Sequence, residues 1–355
     1  MNIYAVIMAG GIGSRFWPRS KKKTPKQLLK IFGDQTMIQQ TVKRLHGLVK
    51  NENIFVITNK EQKPGVLTQL AQLPIENIIE EPFGRNTAAC IGLASVLIAK
   101  KDPDAVTLVL PADHIIEDDE EFHKTLLNAA KFANDSDGLV TIGISPSRPE
   151  TGYGYIQIDE KEVSNDVFKV LNFAEKPNYS TAVRFVESGD FFWNSGMFIW
   201  KASTILEEIK IYLPELYEGL EKIRKAIGTE DFKEVLTNVY GLVKKISIDY
   251  GIMEKSSRVY LTKGNFKWSD VGSWEAVYEL SPKDEFGNAK IGKVYNESSQ
   301  NSFIYSPEKF VAVIGVDNIV VINNDDALLI CDRHRTQDVK NVVDYLKINE
   351  LTEYL

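Results

Sequence analysis

The first two-thirds of this 355-residue chain alternates short apolar segments with longer segments of helical spacing. Apolar, β-branched runs such as Tyr4–Met8 and Ala105–Leu110 are followed by helical patterns such as Thr87–Lys100 and Glu121–Ala133. Fully apolar strands that alternate with helices predict an α/β fold whose mainly parallel sheet is covered by helices on both faces. Because such sheets bind ligands at the carboxyl ends of their strands, we expect functional residues directly after the strands.

The pattern changes twice further along the chain. Thr151–Trp200 contains strand-like pieces separated by Gly and Asn, which we interpret as an insertion that covers the working edge of the sheet. After Pro282, short strands alternate with Asn, Asp, Ser and Gly and end in a helix at Thr336–Lys347. We therefore predict a Rossmann-like, doubly wound mixed sheet in residues 1–282 and a small β-rich, β-helix-like domain in residues 283–355.

Composition excludes several classes of protein. A formal charge of -7 disfavours nucleic acid as a partner, because polyanion binding requires a basic surface. No apolar run approaches the roughly 20 residues of a membrane helix, and the first residues lack the features of a secretory signal, so we expect a cytoplasmic protein without membrane contact. The two cysteines support neither a disulfide framework nor a zinc site.

A glycine-rich segment follows the first apolar strand. Bare glycines allow backbone N–H groups to approach phosphate oxygens, and Arg15 and Lys26 can add positive charge above the same phosphates. The spacing excludes a Walker loop, which requires Gly-Lys-Ser/Thr, and a dinucleotide fingerprint, which requires a small residue where Phe16 stands. The alternative is a tight strand-to-helix turn. The candidate phosphate-binding residues are Ala9, Gly10, Gly11 and Gly13.

Two isolated aspartates are candidate metal ligands. Asp113 follows the apolar strand Ala105–Leu110, and Asp270 lies much later among aromatic and small residues. Magnesium takes one or two carboxylates together with phosphate oxygens, so this pair would suffice for Mg²⁺. Each aspartate taken alone is better explained as a cap or turn residue. We interpret the adjacent His114 as structural, because a histidine beside a site does not by itself indicate proton transfer.

Two further groups of segments carry hydrogen-bonding residues. Glu80–Ala89 places polar groups between a strand and a small-residue helix, with Thr87 as the expected N-cap, and its alternative is a capped turn. Three aromatic-rich segments each expose polar side chains or bare amides that suit sugar hydroxyls, although an aromatic core with a few satisfied polar groups would look similar. These segments are Thr151–Ile156, Phe173–Pro177 and Phe192–Phe198.

The motifs together resemble one enzyme family. Ala9–Pro18 with Pro25-Lys26-Gln27 closely resembles the opening motif of the sugar nucleotide pyrophosphorylases, and Phe16-Trp17-Pro18 looks like the version found in the mannose-1-phosphate guanylyltransferases. Glu80–Ala89 is similar to the segment that lies beside guanine in that group. The resemblance extends to Asp326–Ile330 and Gln337–Lys340 near the end of the chain.

The resemblance implies a reaction and assigns roles. GTP and mannose 1-phosphate would give GDP-mannose and pyrophosphate by in-line attack on the α-phosphorus, with Arg15 and Lys26 as catalytic residues and Mg²⁺ on Asp113 and Asp270. Nucleotide binding would also involve Glu81, Pro82, Arg85, Asn86 and Thr87. The sugar phosphate would contact Gly154, Glu175, Lys176 and Asn194.

Other interpretations remain open at the level of sequence. A related transferase for another sugar 1-phosphate would share these motifs, and a non-catalytic sensor of GDP-mannose would share most of them. The resemblance also implies a possible homodimer formed through the C-terminal domain. Because the chain stops after its last helix, we expect it to lack the cupin-like domain that gives some relatives isomerase activity.

Overall fold

The computed structural model describes residues 1–355. The strands of the first 282 residues are β1 (Ile3–Met8), β2 (Ile54–Asn59), β3 (Ile78–Glu81), β4 (Val106–Pro111), β5 (Ile115–Glu117), β6 (Leu139–Ile144), β7 (Gly154–Ser164), β8 (Val167–Glu175), β9 (Phe191–Lys201), β10 (Val259–Gly264) and β11 (Lys267–Ser269). The strands that follow are β12 (Ala289–Glu297), β13 (Phe303–Ile314), β14 (Ile319–Asn323) and β15 (Leu328–Asp332). The α-helices are α1 (Met37–Lys43), α2 (Lys63–Gln69), α3 (Thr87–Lys101), α4 (Asp119–Ser136), α5 (Tyr179–Ser188), α6 (Ala202–Tyr212), α7 (Pro214–Ala226), α8 (Phe232–Leu242), α9 (Trp274–Leu280) and α10 (Val339–Ile348). None of these helices is long and apolar enough to cross a membrane.

The main sheet has nine strands in the order β3-β2-β1-β4-β9-β6-β10-β8-β7. Strands β3, β2, β1 and β4 are parallel neighbours, and β6 is parallel to β10. Strand β9 runs antiparallel to both of its neighbours, β4 and β6. The predicted doubly wound α/β fold with a mixed sheet is therefore confirmed.

The interpretation of Thr151–Trp200 as a covering insertion was wrong. Its three strands, β7, β8 and β9, belong to the main sheet, and β9 lies near the middle of it. Antiparallel strands can join a sheet through short connections, so the Gly and Asn residues of this segment mark turns within the same sheet and not a separate layer.

Two apolar cores flank the main sheet. Successive residues of β1 point to opposite faces, so Ala5 and Ile7 join the core beneath α1 and α4, whereas Tyr4 and Val6 join the core beneath α3 and α6. Full burial of one large aliphatic side chain contributes about 1.5–3 kcal/mol. Packing in the two cores therefore fixes the ends of the strands and the site residues that follow them.

Residues 283–355, which we call the C-terminal unit, form a separate four-stranded sheet in the order β12-β13-β14-β15. Strands β12, β13 and β14 are parallel neighbours although only residues 298–302 and 315–318 connect them. Parallel neighbours normally require a crossover of a dozen residues or more, so these short connections indicate the winding of a β-helix. Helix α10 then covers one face of this sheet.

Candidate active site

The glycine-rich loop after β1 is held from below by buried side chains. Gln27 Nε2 donates hydrogen bonds to the carbonyl oxygens of Ala9 at 3.0 Å and Gly11 at 3.1 Å. Gln62 Nε2 donates to the Gly11 carbonyl at 3.0 Å, and the Thr58 hydroxyl donates to the Ala9 carbonyl at 3.0 Å. Because the carbonyl groups are bonded on the protein side, the exposed edge of the loop is available to a ligand.

Gly13 allows the loop to pass close to Lys26. Its φ is 65°, in the left-handed region that favours glycine. A Cβ at this position would lie 2.8 Å from Cβ of Lys26, which is closer than side-chain carbons approach each other. The role of Gly13 is therefore to permit the close packing that brings Lys26 to the loop.

Lys26 links the two predicted metal ligands. Its side chain is only 5% exposed, and its Nζ lies 3.0 Å from Oδ2 of Asp113. The same ammonium group donates a hydrogen bond to the backbone carbonyl of Asp270. A buried ammonium is stable only when it is paired in this way. The structure thus brings together three residues that are separated by up to 244 positions in the chain.

A two-stranded ribbon explains the approach of Asp113 and Asp270. Strands β5 and β11 pair antiparallel, with Ile115 opposite Ser269. Asp113 lies two residues before Ile115, and Asp270 directly follows Ser269. Since antiparallel partners run in opposite directions, the residues at this end of the ribbon meet beside the carboxyl end of β4.

Charge and burial act in opposite directions on Asp113. Burial raises the pKa of this carboxyl group, but the positive charge of Lys26 and the hydrogen bond from Lys26 outweigh it, so the pKa lies below its ordinary value. Asp113 is therefore an anion at neutral pH. An ionised oxygen ligand of this kind suits a hard divalent cation.

His114 is held as a neutral ring. Trp268 Nε1 donates a hydrogen bond to Nδ1 of His114 at 3.2 Å. Burial lowers the pKa of this imidazole, and the charge of Asp113 only partly opposes that effect. Because Nδ1 accepts a hydrogen bond, the proton of the neutral ring is on Nε2. These contacts hold the ring in place, but His114 also lines the cleft, so its structural role stays a prediction.

Tyr153 orients the second aspartate. Its hydroxyl donates a hydrogen bond to Oδ1 of Asp270 at 2.7 Å, which leaves Oδ2 without a hydrogen bond from the protein. Burial, followed by the charge of Asp270, raises the pKa of this phenol, so it remains a hydrogen-bond donor. The ring also packs edge-on against Trp193 and Trp268.

Arg15 lies on the other side of Asp270. Both residues line a cavity of about 460 Å³ that borders the main cleft at Gly152 and Tyr153. Arg15 is exposed and makes no ion pair, in contrast with Lys26. An exposed guanidinium without an acidic partner is available to an anionic ligand.

A buried carboxylate lies in the segment Glu80–Ala89. Glu81, at the end of β3, is only 7% exposed, and the Tyr240 hydroxyl lies 3.1 Å from its Oε1. The other oxygen, Oε2, faces Gly10 and receives no hydrogen bond. Burial raises the pKa of Glu81 to about 7, although the hydrogen bond from Tyr240 opposes this shift. Glu81 therefore offers a free acceptor inside the cleft.

The rest of this segment is fixed by contacts with two distant segments. Arg85 donates through Nε to the Tyr240 carbonyl at 2.6 Å and through Nη2 to the Gly241 carbonyl at 3.0 Å. The helix cap differs from the prediction: Asn86, and not Thr87, is the N-cap of α3, with its side chain accepting from the Thr87 N–H. Thr87 instead accepts a hydrogen bond from the backbone of Ile248 at 2.8 Å.

Asn194 projects from an irregularity in β9. The register between β6 and β9 shifts between Thr141 and Gly143, so extra residues of β9 form a bulge beside the cleft. Bulges commonly redirect side chains next to active sites. Asn194 Nδ2 donates to Oδ1 of Asp249 at 2.8 Å, and its Oδ1 accepts from the Gly196 N–H at 3.1 Å. Both hydrogen bonds fix the orientation of the amide.

Glu175 lies close to the backbone of β7. A Cβ on Gly154 would lie 2.5 Å from Oε2 of Glu175, so only glycine allows this approach. Lys176 pairs with Glu175 but remains largely exposed at the rim. Asp249, in a π-helical turn, is near enough for the charge of Glu175 to raise its pKa further, after burial as the main cause. Two carboxylates and an amide thus converge on one end of the cleft.

One cleft of about 670 Å³ connects these groups. Predicted site residues that line it are Gly10, Gly11, Glu81, Arg85, Asn86, Thr87, Gly154, Glu175, Asn194 and Asp270. Other predicted residues support or border the cleft without lining it: Ala9, Gly13, Arg15, Lys26, Pro82, Asp113 and Lys176. Pro82 makes no polar contact. It directly follows the last residue of β3, where a proline cannot continue the ladder of hydrogen bonds.

Sequence reasoning missed several residues of the site. Asp249, Lys245 and Trp268 line the cleft, Tyr240 contacts Glu81, and Gln62 supports the loop. Asp249 had a detectable signal, because it is an isolated acid in an apolar run, Ile246–Met253. Tyr240 had none, since its helical spacing is that of an ordinary core residue.

Comparison with known proteins agrees with this geometry. A family model described as nucleotidyl transferase matches residues 4–286, and one described as a MannoseP isomerase/GMP-like beta-helix domain matches residues 292–346. A mannose-1-phosphate guanylyltransferase of Klebsiella pneumoniae is 42% identical over 354 residues, which cover 98% of this chain and 75% of that protein. One of Escherichia coli gives the same identity and coverage.

A solved structure is also similar along the whole chain. A Thermus thermophilus protein named mannose-1-phosphate geranyltransferase superimposes with a TM-score of 0.87 at 34% sequence identity, covering 98% of this chain and 100% of that one. The sheet, the cleft and the C-terminal unit thus occur together in a known protein. From the cleft and these similarities we conclude that the chain is an enzyme of the nucleotidyl transferase family and belongs to its mannose-1-phosphate guanylyltransferase group.

Proposed function

We propose that this enzyme converts GTP and mannose 1-phosphate into GDP-mannose and pyrophosphate. The observation that carries the proposal is the order of chemical groups along the cleft. Glu81 ends β3 at one edge of the sheet, Asp113 follows β4, Asn194 lies on the neighbouring strand β9, and Glu175 ends β8 towards the other edge. This order matches a base, a row of phosphates and a sugar. The relatives reported above carry the name of the same activity.

Guanine suits the end that contains Glu81. The N1–H and the 2-amino group of guanine are neighbouring donors, and a carboxylate can accept from both. Adenine presents no donor at N1 and no 2-amino group, so it would leave Oε2 of Glu81 buried without a partner. A buried acceptor that loses its hydrogen bond costs about 1–3 kcal/mol, more if it is charged. Glu81 therefore supports a preference for GTP over ATP.

The two aspartates fit a magnesium ion. Both offer carboxylate oxygens, and Oδ2 of Asp270 receives no hydrogen bond from the protein. No third His, Cys, Asp or Glu joins them, so the remaining ligands would be phosphate oxygens and water, as Mg²⁺ prefers. Bound there, Mg²⁺ would neutralise negative charge on the phosphates.

The residues of the chain would catalyse the reaction through position and charge. A sugar phosphate is already anionic at neutral pH, so its attack on the α-phosphorus needs no general base. Lys26 would stabilise the charge that develops on the α-phosphate, and Arg15 would bind the departing pyrophosphate. Glu175, Asn194 and Asp249 would bind the sugar hydroxyls and hold the nucleophilic oxygen in line.

Release of pyrophosphate by the purified enzyme with Mg²⁺ tests the proposal. GTP, ATP, UTP and dTTP are each combined with mannose 1-phosphate and glucose 1-phosphate. Selective turnover of GTP with mannose 1-phosphate supports it, and turnover of another pair would change the assigned specificity. A protein that binds GDP-mannose in calorimetry but releases no pyrophosphate from any pair would be a sensor, which contradicts an enzymatic role.

We also propose that residues 283–355 form a distinct domain through which two copies of the chain associate. The outer face of β12 and β13 carries Tyr295, Phe310 and Ile314, which are 47%, 70% and 61% exposed. Contiguous apolar surface of this kind favours contact with another protein, and a patch on one edge of the molecule suits a two-fold symmetric pair. Light scattering should give a dimer that Phe310→Ser converts to a monomer; a wild-type monomer at micromolar concentration contradicts this.

A further inference from the structure

The loop that carries the catalytic cations packs against the C-terminal unit and not against the cores of the main sheet. Phe16 and Trp17 are buried, yet neither belongs to the two clusters that flank the sheet. They belong to a third cluster, to which the C-terminal unit contributes half of the buried members. Its members from that unit include Phe303, Val320, Ile322, Leu329, Val339, Val343 and Leu346. Helix α10 also contacts the turn Ser14–Phe16 directly.

Polar contacts also join this loop to the C-terminal unit. Trp17 Nε1 donates a hydrogen bond to the Tyr354 carbonyl at 2.9 Å, although the two residues are 337 positions apart. Lys21 forms an ion pair with Asp326. The Arg19 guanidinium lies 4.3 Å from the centre of the Tyr305 ring. The segment between Gly13 and Lys26 is thus attached to the C-terminal unit at several points.

The second aspartate depends on the same cluster. Val271, next to Asp270, is fully buried in it and has a φ of 46°. A β-branched residue in the left-handed region is strained and keeps this conformation only when its surroundings impose it. Trp274, in the same cluster, donates through Nε1 to the Trp17 carbonyl at 3.2 Å, and its ring stacks on Phe303.

We propose that the C-terminal unit is a positioning element of the active site, which holds Arg15, Lys26 and Asp270 in register for phosphoryl transfer. The inference rests on the proposed function, because turnover is its readout. It predicts that substitutions of Trp17, Val343 and their neighbours lower kcat more than equally destabilising substitutions elsewhere in the C-terminal unit do. Small displacements of catalytic groups are sufficient for this, since a shift of about 1 Å can lower a rate by about 100-fold.

The test compares two valines of the C-terminal unit. Val343 is 4% exposed and belongs to the cluster shared with the catalytic loop, whereas Val313 is 5% exposed and belongs to a small core inside the unit. Val343→Ala and Val313→Ala remove the same atoms from equally buried sites. We expect Val343→Ala to lower kcat about 10-fold, with the KM for mannose 1-phosphate within about twofold of wild type. Val313→Ala should leave kcat within about twofold, although both variants lose thermal stability.

Trp17→Phe provides a second measurement should Val343→Ala fail to fold. It keeps an aromatic ring in the cluster but removes the hydrogen bond to the Tyr354 carbonyl. We expect it to lower kcat about 3- to 10-fold, because the loop is no longer held in register, with the KM for mannose 1-phosphate within about twofold of wild type. Equal kcat in all three variants and wild type would overturn the positioning role. A wild-type enzyme that releases no pyrophosphate would instead refute the proposed function.

Discussion

The two ends of the proposed nucleotide-binding part of the cleft differ in how their buried charges are paired. At the proposed phosphate site, Lys26 contacts Asp113 and the Asp270 backbone, so each of these buried charges has a partner before any substrate arrives. At the base-binding end, Glu81 is buried without a cation, and one of its oxygens has no hydrogen bond. The first arrangement keeps catalytic groups ionised and in place. The second leaves an acceptor that only a suitable donor satisfies, which is how a site discriminates between ligands.

Removal of a charge at the reacting end should have the largest effect. Lys26→Met and Asp113→Asn should each lower kcat by at least about 100-fold, because each removes a strong electrostatic contact from the reaction centre. Pyrophosphate release measures the loss, and circular dichroism verifies the fold. Nearly normal turnover in folded variants would mean that the paired charges are structural, and the contrast between the two ends would disappear.

A change at the base-binding end should alter selectivity more than rate. Glu81→Gln retains shape but loses the negative charge, so we expect the preference for GTP over ATP in kcat/KM to fall about 10- to 100-fold. Glu80→Gln is the matched control, because Glu80 is adjacent but pairs with Lys63 at the surface. Inosine triphosphate, which lacks the 2-amino group, sharpens the test: it should bind the wild type less tightly than GTP does.

The pKa of Glu81 predicts a pH effect on GTP binding. Burial raises this pKa to about 7, so the carboxyl group is increasingly protonated as the pH falls below that value. If the ionised form binds guanine, GTP affinity should fall about fivefold between pH 7 and pH 6 and gain little above pH 8. Calorimetric titration of wild type against Glu81→Gln checks this. An identical pH dependence in both proteins would assign the titration to another group.

Tyr153→Phe should have the smallest effect. The variant removes one hydrogen bond to Oδ1 of Asp270 but leaves the aromatic packing with Trp193 and Trp268 in place. We expect kcat to fall about 2- to 5-fold, which corresponds to the loss of one hydrogen bond of about 0.5–1 kcal/mol. A loss as large as that of Asp113→Asn would show that the orientation of Asp270 matters as much as the charge of Asp113.

Local patterns predicted the groups that directly follow strands. Gly10 and Gly11 after β1, Glu81 at the end of β3 and Asp113 after β4 are found where the strand-end rule for α/β sheets expects them. Their positions could be inferred because each depends only on the local alternation of strand, turn and helix. The resemblance to known transferases added the roles of more distant residues such as Asp270, which no local pattern specifies.

Contacts between distant segments could not be predicted. Tyr240 reaches Glu81 across 159 positions, and Asp249 reaches Asn194 across 55. The same applies to Thr151–Trp200, whose strands enter the main sheet although their spacing is equally compatible with a separate layer. Pairing between strands depends on the packing of the whole sheet, which short windows of sequence do not contain.

The central position of β9 has a consequence for synthesis of the chain. Strands β4 and β6 are complete once residue 144 has been made, but the strand that separates them ends only at Lys201. Until then both facing edges lack a partner, and unpaired edges promote aggregation during folding. A fragment that ends before Phe191 would therefore be unable to close its sheet. The ribosome must release more than half of the chain before the part of the cleft formed by β4, β9 and β6 can close.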